Sequence, residues 1–187
     1  MSGRRSPDAG PGPDPGPGPG PAPGPGPDPD PAWSPHRIVN PAGLVPPAGF
    51  AHAVVAAPGR TVFLGGQAGM DEQGSVAATT VTDQFDLAAA NLVAALAAAG
   101  GRPEHLVWMQ IFVTDAAAYR AERKRLGQVW RRHFGRHYVA TALLEVSGLF
   151  DPAANVELMG IAVIPDAGTV ESPGIPRRPA DDREAGP

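Results

Sequence analysis

The run Val156-Glu157-Leu158-Met159-Gly160-Ile161-Ala162-Val163-Ile164 decides how this chain is read. It has the length of a strand, and apolar residues at nearly every position imply burial of both faces. Its one charged side chain is Glu157. A carboxylate among apolar neighbours costs free energy unless it is paired, hydrogen-bonded or near water. Glu157 therefore marks either a cleft or a solvated strand end, and the functional reading turns on it.

Working outward, Leu106–Thr114 reads as a second apolar strand and Tyr138–Val146 as a third. Val81–Ala99 has Phe85, Ala88, Ala89, Leu92 and Leu96 at helical spacing, with Thr80 and Asp83 to cap its start and Gly100-Gly101 to stop it. Asp115 is placed to cap a second helix running to about His133, with Tyr119, Leu126, Val129 and Trp130 inward. Upstream, His36–Asn40 reads as a short strand. Ala51–Ala57 and Arg60–Gly66, separated by Pro58-Gly59, read as a hairpin. The expected order is β-β-β-α-β-α-β-β, an α+β sheet with two helices packed on one face. Two helices cannot cover both faces, so the other is expected to pack against further copies of the chain.

The 187 residues hold 24 glycines and 24 prolines, crowded towards the beginning. Residues 6–31 contain no apolar side chain larger than alanine, a composition that cannot offset its ordering entropy. The expected organisation is a disordered Pro/Gly-rich segment over 1–35, one domain over 36–165 and a disordered tail over 166–187. The two end segments carry 9 of the 19 acids and 5 of the 15 bases, which leaves ten of each in the domain. That balance argues against a globally basic nucleic-acid binder. There is no cysteine, which excludes disulfides, thiolate nucleophiles and cysteine-ligated metals. Arg4-Arg5 lacks the apolar segment of an export signal, and no apolar run approaches a membrane span, so a cytoplasmic protein is expected.

Phe50-Ala51-His52-Ala53-Val54, Phe63-Leu64-Gly65-Gly66-Gln67, Asn91-Leu92 leading to Ala99-Gly100, Phe112-Val113-Thr114-Asp115 and Glu145-Val146 before Val156-Glu157 occur in an order and spacing that resembles the RidA/YjgF family. The resemblance covers about 50–164. It implies a chorismate-mutase-like fold, a homotrimer with ligand clefts between protomers, and cofactor-independent hydrolysis of enamines and imines to ketoacids and ammonia. In that family an arginine grips the substrate carboxylate, a glutamate on the last strand handles the attacking water, and a tyrosine and a serine line the cleft. Carried over, the glutamate is Glu157. The arginine position falls on Thr141, the tyrosine on Phe50 and the serine on Gly65, beside Gly66. Losing a charge-assisted pair costs on the order of 1.5–3 kcal/mol per hydrogen bond. A cleft so altered suits a neutral or less polar ligand.

Other side chains have blander readings. His52, in an apolar run, could line the cleft, but a hydrogen-bonded structural role fits better. His133 and His137 have the spacing of two ligands on one helix face, yet Gly135 ends the helix between them and no acidic third ligand is near, so no metal is expected. Arg120, Arg123, Lys124, Arg125, Arg131, Arg132 and Arg136 form a basic stretch without interleaved aromatics, which reads as a solvated surface in preference to an RNA platform. Three functions remain in order. The first is a RidA-like hydrolase of C=N bonds with altered specificity. The second is a non-catalytic small-molecule- or partner-binding trimer, and the third an RNA-binding, ribonuclease-like protein.

Overall fold

A computed structural model describes residues 34–166; the expected end segments lie outside the described residues except for 34, 35 and 166. The chain runs β1 (Arg37–Val39), β2 (Ala53–Val55), β3 (Gly59–Ala68), α1 (Val81–Ala98), a 3₁₀ turn (Pro103–His105), β4 (Leu106–Val113), α2 (Ala116–Ala121), α3 (Arg123–Phe134), β5 (Ala140–Glu145) and β6 (Val156–Pro165). The main sheet has the order β3-β6-β4-β5, with β6 antiparallel to both neighbours and β5 parallel to β4. The α2–α3 segment is the crossover that a parallel pair requires.

The α+β class expected from the apolar runs is the one found. Two details differ. Ala51–Ala57 and Arg60–Gly66 do not form a hairpin: β2 pairs with β1, while β3 pairs with β6. Gly59, expected in the turn, is already in β3 opposite Pro165. The second helix is also broken at Glu122 into α2 and α3, making three helices. Between Tyr119 and Leu126 stand Arg120, Ala121, Glu122, Arg123, Lys124 and Arg125, so no large apolar anchor holds a straight axis there.

The core lies between one sheet face and the helices. Leu64 of β3, Met109, Ile111 and Val113 of β4, and Val156, Leu158 and Ala162 of β6 meet Phe85, Leu92 and Leu96 of α1. The helix ends are closed locally. Thr80 Oγ1 accepts from the Asp83 N–H at 3.1 Å and its hydroxyl donates to Asp83 Oδ2 at 2.8 Å. Gly100, at φ +81°, reverses the chain after α1 in a conformation that favours glycine. Asp86 of α1 receives Arg132 and His133 of α3. Burial opposes its ionisation, but the hydrogen bond from His133 and the charge of Arg132 outweigh that and hold its carboxyl below the usual value.

Gln84 is fully buried and ties two loops to α1. Its Nε2 donates to Ala78 O at 2.8 Å and Ala153 O at 2.9 Å, while Oε1 accepts from the Asn155 N–H at 2.6 Å. Gln84→Leu strands these backbone groups, and unmet buried groups cost about 1–3 kcal/mol each. With partial relaxation we expect a loss of roughly 2–4 kcal/mol in urea unfolding.

Among the described residues, the opposite sheet face has no helix over it. Register places Phe63, Ile161, Trp108 and Ala140 in one row across the four strands, and Ala68, Glu157, Phe112 and Leu144 in another. Phe63 is 78% exposed and Leu144 40%. Among the described residues, no helix is long and apolar enough to cross a membrane.

Candidate functional site

β3 carries one residue more than β6 between two paired positions. Leu64 pairs with Gly160 and Gln67 with Leu158, so Gly65 and Gly66 together oppose Met159. Such bulges bend a strand and re-aim the side chains beyond them. The glycines matter here for what they lack: a Cβ on Gly66 would stand 1.9 Å from Glu157 Oε1 and 2.8 Å from its Cδ. The carboxylate therefore rests in the hollow above the bulge.

Glu157 sits in the second position of β6, half-buried, on the face away from the helices. Its cross-strand partners are Phe112 and Ala68. Its side chain makes no hydrogen bond or ion pair with any described residue. A half-buried carboxylate with free lone pairs, apolar on one side and open backbone on the other, can take a proton from a water it orients.

The remaining candidate residues form a second group at the other edge of the sheet. The Ala51 N–H donates to Val139 O at 2.8 Å and Ala51 bridges to Ala140 in parallel, which sets Phe50 and His52 beside the start of β5. His52 is heavily engaged. Its N–H donates to Asn40 Oδ1 at 3.0 Å, its Nε2 donates to Val45 O at 2.9 Å, and its ring meets Phe50 edge-on at 5.1 Å. These bonds tie Asn40 and Val45 to His52, whose ring rests against Phe50. Thr141 turns its hydroxyl back onto Val139 O at 2.9 Å, which occupies its only donor.

Glu157 and Thr141 are thus well separated within one protomer. Glu157 is opposite Phe112 and Thr141 opposite Met109, on the two flanks of β4. Three residues along and two strand spacings across amount to roughly 10 Å in each direction. Met109 points into the core and Phe112 away from it, so the register also puts the two side chains on opposite faces. The fold brings Glu157, Gly65 and Gly66 together, and separately Phe50, His52 and Thr141.

The histidines read as a spaced pair are committed elsewhere: His133 to Asp86, and His137 Nε2 to Leu106 O at 2.8 Å. Among the described residues, no three His, Asp or Glu side chains are grouped to hold a metal. The basic side chains of α2, α3 and the turn after them are exposed on the helix side of the sheet, opposite Glu157. Reading residues alone missed the bulge and the Phe112–Ala68 walls of the hollow. Two glycines inside a strand pattern were the available signal.

The family model described as Endoribonuclease L-PSP matches residues 42–164. A Rid-family protein from Yersinia pestis, YyfB, is 27% identical, with 69% of this chain and 98% of that chain covered and a TM-score of 0.63. A candidate endoribonuclease of Thermotoga maritima is 28% identical, covering 65% and 89% at a TM-score of 0.50. TdcF of E. coli, solved with bound serine, is 26% identical, covering 65% and 91% at a TM-score of 0.50. No functionally curated protein matches the chain. A match over most of the domain, with the same mixed sheet and helix layer, is enough to place it: the chain belongs to the Rid family, also known as YjgF or L-PSP.

Proposed function

We propose that this protein is a cofactor-independent hydrolase of C=N bonds, a Rid-type deaminase of altered specificity that works in clefts between protomers. The observation that carries the reading is the carboxylate of Glu157, half-buried over Gly66 and without a partner among the described residues. In the proposed reaction Glu157 orients a water and takes its proton as the oxygen adds to the imine carbon. The proton passes to nitrogen, and the carbinolamine collapses to a carbonyl compound and ammonia.

The two separated residue groups support a shared site. The bulge group on the uncovered face of one protomer and the Phe50–Thr141 group at the β5 edge of another complete a pocket only if that face and that edge meet. A homotrimer, as in the family, does this and also buries Phe63 and Leu144.

TdcF binds serine, which carries a carboxylate. Here Thr141 has no charge and its hydroxyl is used by Val139 O, so the preferred substrate is an uncharged imine. The same observation favours one second reading, a trimer that binds a neutral small molecule without turnover. A ribonuclease reading lacks support from the site, since the basic residues and Glu157 lie on opposite sides of the sheet.

The test is ammonia release from freshly generated 2-iminopropanoate and 2-iminobutanoate and from uncharged imines of similar size. Turnover of an uncharged imine above the spontaneous rate is expected. If every imine decays at the spontaneous rate, the hydrolase reading fails. Thr141→Arg is expected to improve kcat/KM for the imino acids by roughly tenfold or more, the worth of one charge-assisted pair. No change would mean that this position does not face the ligand.

A further inference from the structure

Three buried histidines converge where the 3₁₀ turn meets β4. His36, just before β1, is 5% exposed, His105 of the turn 7%, and His137, ahead of β5, 5%. For two of them the bonds fix the state of the ring. His36 Nε2 donates to His105 O at 3.2 Å, while its Nδ1 accepts from the Ala57 N–H at 3.1 Å. His105 Nδ1 accepts from the Arg102 N–H at 3.1 Å. His137 Nε2 donates to the next carbonyl, Leu106 O, at 2.8 Å. Two of the three rings thus hold a backbone N–H by a lone pair, and a proton at that Nδ1 would set donor against donor.

We propose that His36 and His105 form an acid-sensitive lock that fastens the β1–β2 ribbon to the body of the domain, with His137 held beside it on Leu106 O. His36 is the bolt, since it joins the segment before β1 and the segment after β2 to the 3₁₀ turn. Ser34 adds to the same junction, with its Oγ donating to Glu104 O at 3.1 Å and accepting from the His36 N–H at 3.1 Å. The ribbon's loop carries Phe50 and His52. Opening the lock therefore dismantles one wall of the proposed cleft, and in that respect alone the regulation rests on the functional reading above.

The charged groups around the rings do not cancel the effect. Burial lowers the proton affinity of all three. Glu104 favours protonation of His105 and His137, whereas Arg102 disfavours it at His105. His36 opposes a charge on His105, and both oppose one on His137, while Glu104 is itself paired with Arg102 at 2.7 Å. The carbonyl of His105 and the backbone at Val163 pull the other way for His36 but are outweighed. With folded-state values below the unfolded one, the unfolded form binds more protons. The contribution is complete above about pH 6.5 and is lost as pH falls from there towards the folded-state values.

Hydrogen exchange of the full chain, corrected for the intrinsic effect of pH on exchange, tests this without any substrate. Failure would leave the chemistry at Glu157 untouched. Between pH 7.5 and 5.5, protection of residues 36–57 is expected to fall about tenfold or more relative to α1, the effect of one proton over one pH unit. Equal protection at both pH values, or a uniform loss that includes α1, overturns the proposal. His36→Asn retains an acceptor towards the Ala57 N–H and does not titrate, so the pH-dependent difference should shrink; an unchanged dependence also overturns it. If that variant does not fold, imidazole NMR of the wild type decides. Rings still neutral at pH 6 support the lock, and rings titrating near the ordinary 6.5 refute it.

Discussion

Glu157→Gln is expected to slow the proposed hydrolysis of an uncharged imine by roughly 10²–10⁴-fold, the usual range for removing a positioned acid–base group. The substitution keeps size and shape but replaces the basic carboxylate with an amide that cannot take the water's proton. Because Glu157 has no partner among the described residues, the fold loses no bond with it. The unfolding midpoint should therefore stay put while kcat falls. A drop in stability of comparable size would reassign Glu157 to structure. Gly66→Ala gives an independent check: its methyl would occupy the place of Oε1. The obstacle is the end of a flexible side chain, so the chain still folds, but the carboxylate moves by an ångström or more. Displacement on that scale costs about 100-fold in rate.

The largest effect on stability is expected from Phe85→Ala, at about 3–5 kcal/mol. Phe85 is 1% exposed and packs edge-on to Tyr119 at 6.3 Å, joining α1 to α2 over the sheet. Removing the ring loses its transfer free energy and leaves a cavity that the surrounding strands cannot fully close. Against a typical total of 5–15 kcal/mol this is a large share. Urea unfolding at fixed protein concentration measures it, since association of copies would otherwise shift the midpoint. A loss below about 1 kcal/mol would mean that α1 is not the centre of the core.

Sequence made the centre of the molecule legible because the signals there are local and redundant. The apolar runs gave β4 and β6, and Thr80 with Gly100 bracketed α1. Glu157 stood out as the one charge in its strand. The errors arose where pairing is non-local. Pro58-Gly59 is a fair turn signal, but β2 finds its partner in β1 across a long loop, and β3 finds its partner near the end of the domain. Turn chemistry says nothing about such partners. The separation of Thr141 from Glu157 was likewise invisible, because it follows from strand order and register, not from either residue's neighbours. The histidine junction shows the same limit. His36, His105 and His137 are dispersed along the chain and meet only when folded.

The extra residue in β3 has a second effect besides the hollow over Gly66. β3 is an outer strand of the four-stranded sheet, with Phe63 prominent on its surface. A regular ten-residue ribbon of that kind is a template for the addition of foreign strands, the first step towards fibrils. Interrupting it with Gly65-Gly66 breaks the periodic array of donors and acceptors midway. Deleting either glycine to tidy the ladder would therefore exchange the hollow under Glu157 for a sticky margin, and solubility would decline together with the proposed turnover.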